Sequence, residues 1–377
     1  MTAPIARAAI YHFRHTLATP ITTVMGPMTH RPALLLRLED AEGAHGWGEI
    51  WCNFPPDGDL HRARLAARIL PVALAGMTAD TAAPFDEMLR RLHRLIIQAG
   101  EPGPVAQIAS GADIALHDLR SRRAGQPLCA ILGGTARAVP AYASGISPGK
   151  AEDQIARMRA MGYRRFKQRV GFGPDDGLPE AERSVASLDR GETMMLDANQ
   201  AWDLATAQRQ LDRLAPLGLI WMEEPLPADA PVADWLTLAK GAAMPLAGGE
   251  NLTGAALDAA IAEGALHFVQ PDICKWGGLS RTRRVARAAL AAGRTYCPHF
   301  LGGGVGLVAS AHLLAAVGGD GLLEVDSSEN PLLSVFSGRG LALENGAFPL
   351  GDAPGLGYDP DVAGMADLLV SREEVTI

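Results

Sequence analysis

From about residue 138 to residue 326 the chain repeats one unit, a short apolar run followed by a stretch rich in Ala, Leu and Arg. The runs are AVPAYAS (138–144), RRFKQRV (164–170), TMMLDA (193–198), LIWME (219–223), MPLAGG (244–249), HFVQP (267–271), RTYCP (294–298) and LLEVD (322–326). Between them, AEDQIARMRAM, DLATAQRQLDRL and RTRRVARAALAA put Ala, Leu, Ile or Val on one helical face and Arg, Gln or Asp on the other. Strands that alternate with amphipathic helices predict a parallel sheet with helices outside it, and eight such strands fit a (β/α)8-type barrel.

The first 135 residues do not follow this unit. Two hairpin-like apolar runs, PALLLRLED and HGWGEIW, precede helical patterns around 60–75, 84–98 and 104–123, which predicts a separate α+β domain at 1–135. The barrel is expected over 136–352, and 353–377 is expected to pack back on the first domain. A length of 377 residues suits a barrel of about 250 residues plus one appended domain.

Composition narrows the function. A net charge of -8 and basic runs no longer than RSRR (120–123) argue against nucleic acid as a partner. Apolar runs fall short of the ~18–20 residues of a membrane span, and the first residues, MTAPIARAAIYHFRH, lack a secretory apolar core, so a cytoplasmic protein is expected. Cys52, Cys129, Cys274 and Cys297 form no CxxC pair and read as reduced, buried thiols.

In a barrel of this kind the chemistry lies at the carboxyl ends of the strands. Strand three ends at Asp197, strand four at Glu223 and strand five at Glu250; the steps from 197 to 223 and from 223 to 250 are 26 and 27 residues, about one βα unit each. Any one of these could be an isolated surface carboxylate. Three at matching strand ends should converge, and like charges that converge raise one another's pKa unless a cation compensates them. Oxygen-only ligands favour Mg2+, one per subunit.

On strand two, Lys167 and Arg169 are two apart and project to the same side, as an anion site would need. Strand six ends at Asp272 and strand seven at His299, so a carboxylate can orient an imidazole for proton transfer. Glu324 is expected to end strand eight, facing a substrate oxygen. Lys275 and Glu224 are expected to be supporting, Glu224 for a neighbouring cation; one residue past Glu223, it should turn away by strand alternation unless the chain bends at Pro225.

With these residues in order, the chain resembles the enolase superfamily and its mandelate racemase subgroup, within the mandelate racemase/muconate lactonizing enzyme family. The likeness runs over essentially the whole length through GWGE (46–49), FKQRVG, LDANQAW, WMEEP, GGEN, QPDICKWGG and CPHF. It implies a (β/α)7β barrel with an amino-terminal capping domain, Mg2+ on Asp197, Glu223 and Glu250, a His299–Asp272 base dyad, and Glu324 as the acid that bonds the substrate carboxylate. The related muconate-cycloisomerase subgroup has a catalytic lysine where Asp272 stands. One departure is informative. The family usually has Lys-x-Lys on strand two, the second lysine being a base on the face opposite the histidine, and here that position is Arg169. Arginine stays protonated and is a poor base, so symmetric two-base racemisation is disfavoured.

The reaction that follows is abstraction of the proton alpha to a carboxylate, giving an enediolate, with dehydration of a hydroxy or sugar acid to a 2-keto acid as the first reading. A racemase or epimerase of a small carboxylate is the alternative, and a catalytically silent relative a third. Substrate identity should reside in two capping loops, 21–31 and 49–59. Their Met25, Met28, Trp51 and Phe54 make an apolar lid, with His30, Arg31 and Asn53, and Asn199 below, as polar contacts. The partner expected is a small carboxylate, and the assembly a homo-oligomer.

Overall fold

A computed structural model describes residues 2–377. Its amino-terminal part is a sheet of β1 (Ile5–Thr23), β2 (Gly26–Asp40) and β3 (His45–Ile50), covered by α1 (Gly58–Ala73), α2 (Pro84–Ala99) and α3 (Pro102–Arg123). β1 and β2 form one long antiparallel hairpin, in register from Arg7 opposite Glu39 to Thr23 opposite Gly26 with irregularities between. Sequence patterning marks only part of it, because β1 carries arginines and histidines among its apolar residues. The segment 21–31 is therefore the tip of a hairpin and not a loop.

Close approach explains the glycines of GWGE. A Cβ on Gly48 would lie 2.0 Å from the Gly111 carbonyl oxygen, and one on Gly46 would lie 2.3 Å from that of Ala115, so β3 rests directly on α3.

The second part curls β4 (Val139–Ile146), β5 (Arg165–Arg169), β6 (Thr193–Asp197), β7 (Met222–Glu223), β8 (Leu246–Gly248), β9 (Phe268–Val269), β10 (Thr295–Tyr296) and β11 (Leu323–Asp326) into a parallel sheet, ordered β10-β9-β8-β7-β6-β5-β4-β11. All eight apolar runs of the sequence contribute a strand. No ladder joins β10 to β11 among the described residues; Leu322 N donates to Cys297 Sγ at 3.3 Å across that seam. A short β12 (Ala347–Phe348) pairs antiparallel with β4, and β13 (Leu369–Thr376) pairs with β1 at the edge of the first sheet. All four cysteines are free and buried, and no helix among the described residues is long and apolar enough to cross a membrane.

Inside the curled sheet, Tyr142, Met195, Trp221, Ala247, Cys297 and Leu322 pack into a small buried cluster. Strand side chains alternate, so residues two positions further on point the same way, one layer higher. That rule lifts Asp197 above Met195, Glu223 above Trp221, His299 above Cys297 and Glu324 above Leu322. An apolar plug thus carries the polar floor of the mouth.

Glu49 ends the GWGE motif and ties the first part to this mouth. It is buried and accepts backbone N–H bonds from Gly303 and, at 2.8 Å, Gly306, in the first turn of the helix Gly304–Val317 that follows the His299 segment. Burial pushes its carboxyl up from 4.5 to about 7, with the backbone donors pulling the other way.

Candidate active site

The carboxyl ends of the strands open into a cavity of about 360 Å3, closed above by the hairpin tip and the segment after β3. On its floor Arg169, Asp197 and Glu223 stand at one level, because Arg169 pairs with Asp197 across β5–β6 and Asp197 with Glu223 across β6–β7. Lys167, buried one layer lower, sends its Nζ to Glu223, to Glu324 at 2.8 Å and to Asp197 at 3.5 Å. Burial opposes its charge, but the surrounding carboxylates, Glu223 and Glu324 foremost, hold the ammonium protonated well above its ordinary range. Glu223 also accepts from Gln270 Nε2 at 2.7 Å and Trp221 Nε1 at 3.1 Å.

The imidazole of His299 lies between two carboxylates. Nδ1 is 2.9 Å from Asp272 Oδ2, and Nε2 is 2.9 Å from Glu250 Oε2. Asp272 is fixed in turn by the backbone N–H groups of Cys274 at 2.8 Å and Lys275 at 3.2 Å, so the ring cannot swing without breaking that support. Burial alone would lower the imidazole pKa; Glu250 and Glu324 reverse this and raise it well above the usual value. Across the cavity stands Arg169, whose guanidinium loses some basicity to burial yet remains a cation.

Two expectations about direction change. Glu324 does not end its strand: β11 runs on to Asp326, which alternation places on the same side as Glu324 and one layer higher. Glu324 itself accepts from Ser144 Oγ and from Phe300 N at 3.1 Å. Glu224 does not turn away. Its φ of 36° bends the chain before Pro225, so its carboxylate lines the cavity and takes Asn251 Nδ2 on both oxygens, at 3.1 and 2.9 Å. Burial, with Glu250 and Asp197 nearby, raises its pKa well above the carboxylate range. Asn251 also donates to Glu250 at 3.0 Å and accepts from Lys275 Nζ, which sits 5.0 Å over the Trp51 ring.

The expected lid residues divide. Met25, Met28, Trp51, Phe54, Arg31 and Asn199 line the cavity; His30 and Asn53 do not. His30 lies opposite Thr16 and shares its face with Arg14, while Arg31, next along the strand, takes the inward face. Asn53 instead donates to Leu301 O at 2.7 Å, which ties the segment after β3 to the one after β10.

Site residues that sequence reasoning missed are Asp326, Asn251 and Gln270. Asp326 had a signal, since it follows Glu324 by two on a strand. Asn251 and Gln270 stand beside predicted site residues, but nothing in their spacing marks them.

The floor can be tested against a divalent cation. Among the described residues no three His, Cys, Asp or Glu side chains converge closely enough to form a ready metal cage; the strand-end carboxylates lean on Lys167 and His299 instead. The donors nevertheless suit a hard cation. They are oxygens only, on three successive strands, and Glu223 is pushed up to about 8 by burial, with Asp197 and Glu324 adding to the rise and the Lys167 ammonium only partly offsetting it. More positive charge is what this floor lacks.

Residues 5–133 match the mandelate racemase/muconate lactonizing enzyme N-terminal domain, and residues 150–364 match the enolase C-terminal domain-like family. A solved mandelate racemase/muconate lactonizing enzyme from Bordetella bronchiseptica RB50 is 47% identical with a TM-score of 0.89, over 98% of this chain and 100% of that one. The 3,6-anhydro-alpha-L-galactonate cycloisomerase of Streptomyces coelicolor is 31% identical, over 95% of this chain and 97% of its own. L-talarate dehydratase from Polaromonas sp. JS666, solved with Mg and L-glucarate, is 27% identical with a TM-score of 0.84 and covers 100% of both chains. Further curated relatives include another cycloisomerase, dehydratases and an epimerase.

Proposed function

The chain belongs to the mandelate racemase/muconate lactonizing enzyme family of the enolase superfamily, a family of lyases and isomerases, and from that premise we propose that it is a Mg2+-dependent dehydratase of a hydroxy acid. Asp197, Glu223 and Glu250 would hold the cation, which when bound would supply positive charge to the substrate carboxylate as negative charge develops there. The observation that carries the choice of reaction is the asymmetry of the two walls: an imidazole backed by Asp272 on one side and an arginine on the other.

His299 takes the alpha proton at Nε2 while Asp272 holds Nδ1, keeping the ring oriented and favouring the imidazolium that forms. The same imidazolium then protonates the beta hydroxyl as it leaves. The enol that remains becomes a 2-keto acid, and water is the other product. Lys167 and Glu324 flank the substrate carboxylate, and Arg169 binds a substrate oxygen without taking a proton. In the structure Glu250 shares Nε2 of His299, so the base form requires Glu250 to be engaged elsewhere. Cation binding and base function are coupled through that one residue.

Titration with Mg2+ followed by calorimetry, then a screen of hydroxy acids for 2-keto acid formation with His299→Asn as control, tests this reading. One Mg2+ per chain and His299-dependent keto-acid formation are expected. Undetectable Mg2+ binding, or turnover that survives His299→Asn, contradicts it.

A further inference from the structure

The distal half of the cavity has a charge pattern of its own. Its polar wall is Arg31, Arg169 and Asp326, and the residues around them are Ile21, Val24, Met25, Met28, Phe54 and Leu301. Arg31 is 1% exposed and is ion-paired with Asp326, itself 3% exposed. Met28 Sδ lies 3.7 Å from another of the Arg31 nitrogens. Arg169 faces the carbonyl oxygens of Gly145 at 3.3 Å and Thr22 at 3.4 Å. A Cβ built on Gly145 would sit 2.6 Å from Asp326 Oδ1 and 3.3 Å from Arg169 Nη2, so this guanidinium and Asp326 flank the same glycine. Lys275, at the other side of the mouth, is engaged by Asn251, by Glu250 at 3.6 Å and by the Trp51 ring.

Arg31 is thus matched by the Asp326 carboxylate and Arg169 by two carbonyls with Asp326 nearby, and around them that half is mainly apolar, Thr23 at the hairpin tip being the polar exception. An arriving carboxylate would lose its water and meet the negative charge of Asp326 beside both guanidinium groups. A hydroxyl would find the Gly145–Arg169–Asp326 wall, and a hydrocarbon group would find Val24, Met25, Phe54 and Leu301. We propose that the substrate is a monocarboxylic hydroxy acid with an uncharged, largely apolar distal end, and that Asp326 enforces this by pairing with Arg31 and standing beside Arg169. The proposal rests on the reading above, in which the one carboxylate binds over the floor beside Lys167.

The direct test is calorimetric binding to the wild-type protein in Mg2+ of three 2,3-dihydroxy acids that differ distally. L-glucarate ends in a carboxylate, L-gluconate in a hydroxymethyl group, and 3-phenylglycerate in an aryl ring. At least one monoacid should bind tenfold or more tighter than L-glucarate. Equal or tighter binding of L-glucarate, or failure of both monoacids to bind at millimolar concentration, overturns the proposal. Asp326→Asn should release Arg31 from its ion pair, remove the negative charge beside Arg169 and improve L-glucarate affinity at least tenfold; an unchanged affinity in the folded variant removes Asp326 from the account. Met25→Arg, at a hairpin-tip position 56% exposed, adds an unpaired cation without disturbing the core and should shift the same ratio in the same direction. Formation of 2-keto acid is measured separately. Monoacids that bind as expected but yield no 2-keto acid count against the dehydratase reading alone, and L-glucarate that binds best and is dehydrated counts against this proposal alone.

Discussion

The floor and the roof of the cavity are built on opposite principles. The floor is a lattice of buried charges, Lys167 among Asp197, Glu223 and Glu324, and His299 between Asp272 and Glu250, each held by at least two partners. The roof is two pieces of the capping domain, the β1–β2 hairpin tip and the segment from Trp51 to Phe54, that offer mainly apolar side chains, several of them partly exposed. A charge lattice fixes atoms to within a hydrogen bond and therefore suits bond-making, whereas an apolar, partly exposed roof can be resized at small cost. In the proposed function, reaction and substrate choice are thus separated in space, and substitutions in the two regions should differ in kind.

The largest effect is expected from His299→Asn, which leaves a side chain of similar polarity with no base. Turnover should fall by about 10²- to 10⁴-fold, the usual share of a positioned acid/base group, while Mg2+ binding measured by calorimetry is retained or tightened, since Glu250 loses the imidazole that competes for it. Next is Arg169→Lys. A lysine there restores an amine opposite His299, so NMR should detect epimerised, deuterium-labelled starting acid that the wild type does not produce. If the wild type already produces it, the asymmetry of the two walls is not what selects the reaction.

A third prediction concerns the strut between the regions. Glu49 binds its proton more tightly when folded, at about 7, than when unfolded, at 4.5. Its contribution to stability is therefore fully present below the unfolded value and is lost as pH rises through about 7. That loss is of the order of 3 kcal/mol in the limit of full burial. Glu49→Gln, which cannot ionise, should flatten the decline in Tm between pH 5 and pH 8 relative to the wild type. Parallel Tm curves would show that Glu49 does not titrate in this window. The smallest effect belongs to the roof: Met25→Ala should raise KM a few-fold with a smaller change in kcat, since it removes contact with the distal end of the substrate and touches no reacting atom.

The same contrast governs how much the sequence discloses. Asp197, Glu223 and Glu250 are legible because strand ends recur at one βα unit, and Lys167 with Arg169 because strand faces repeat every two residues. His299 and Asp272 follow from adjacency of strand tops. The roof obeys no such period. Arg31 and Asp326 are 295 residues apart, and their pairing is visible only once the hairpin is laid over the barrel mouth. His30 and Arg31 are equivalent candidates in the sequence, and the register of β1 on β2 decides between them. Glu224 depends on one residue at φ 36°, a conformation that sequence signals favour for Gly or Asn and do not announce for Glu.

The measurement that bears most directly on the central claim is the isotopic outcome of one reaction. Incubated in D2O with Mg2+ and a monocarboxylic 2,3-dihydroxy acid, the protein should form the 2-keto acid with solvent deuterium at C3, and the acid that remains should be neither epimerised nor labelled at C2. Epimerised acid carrying deuterium at C2, with no 2-keto acid formed, would contradict the single-base dehydration and assign the site to two-sided proton transfer.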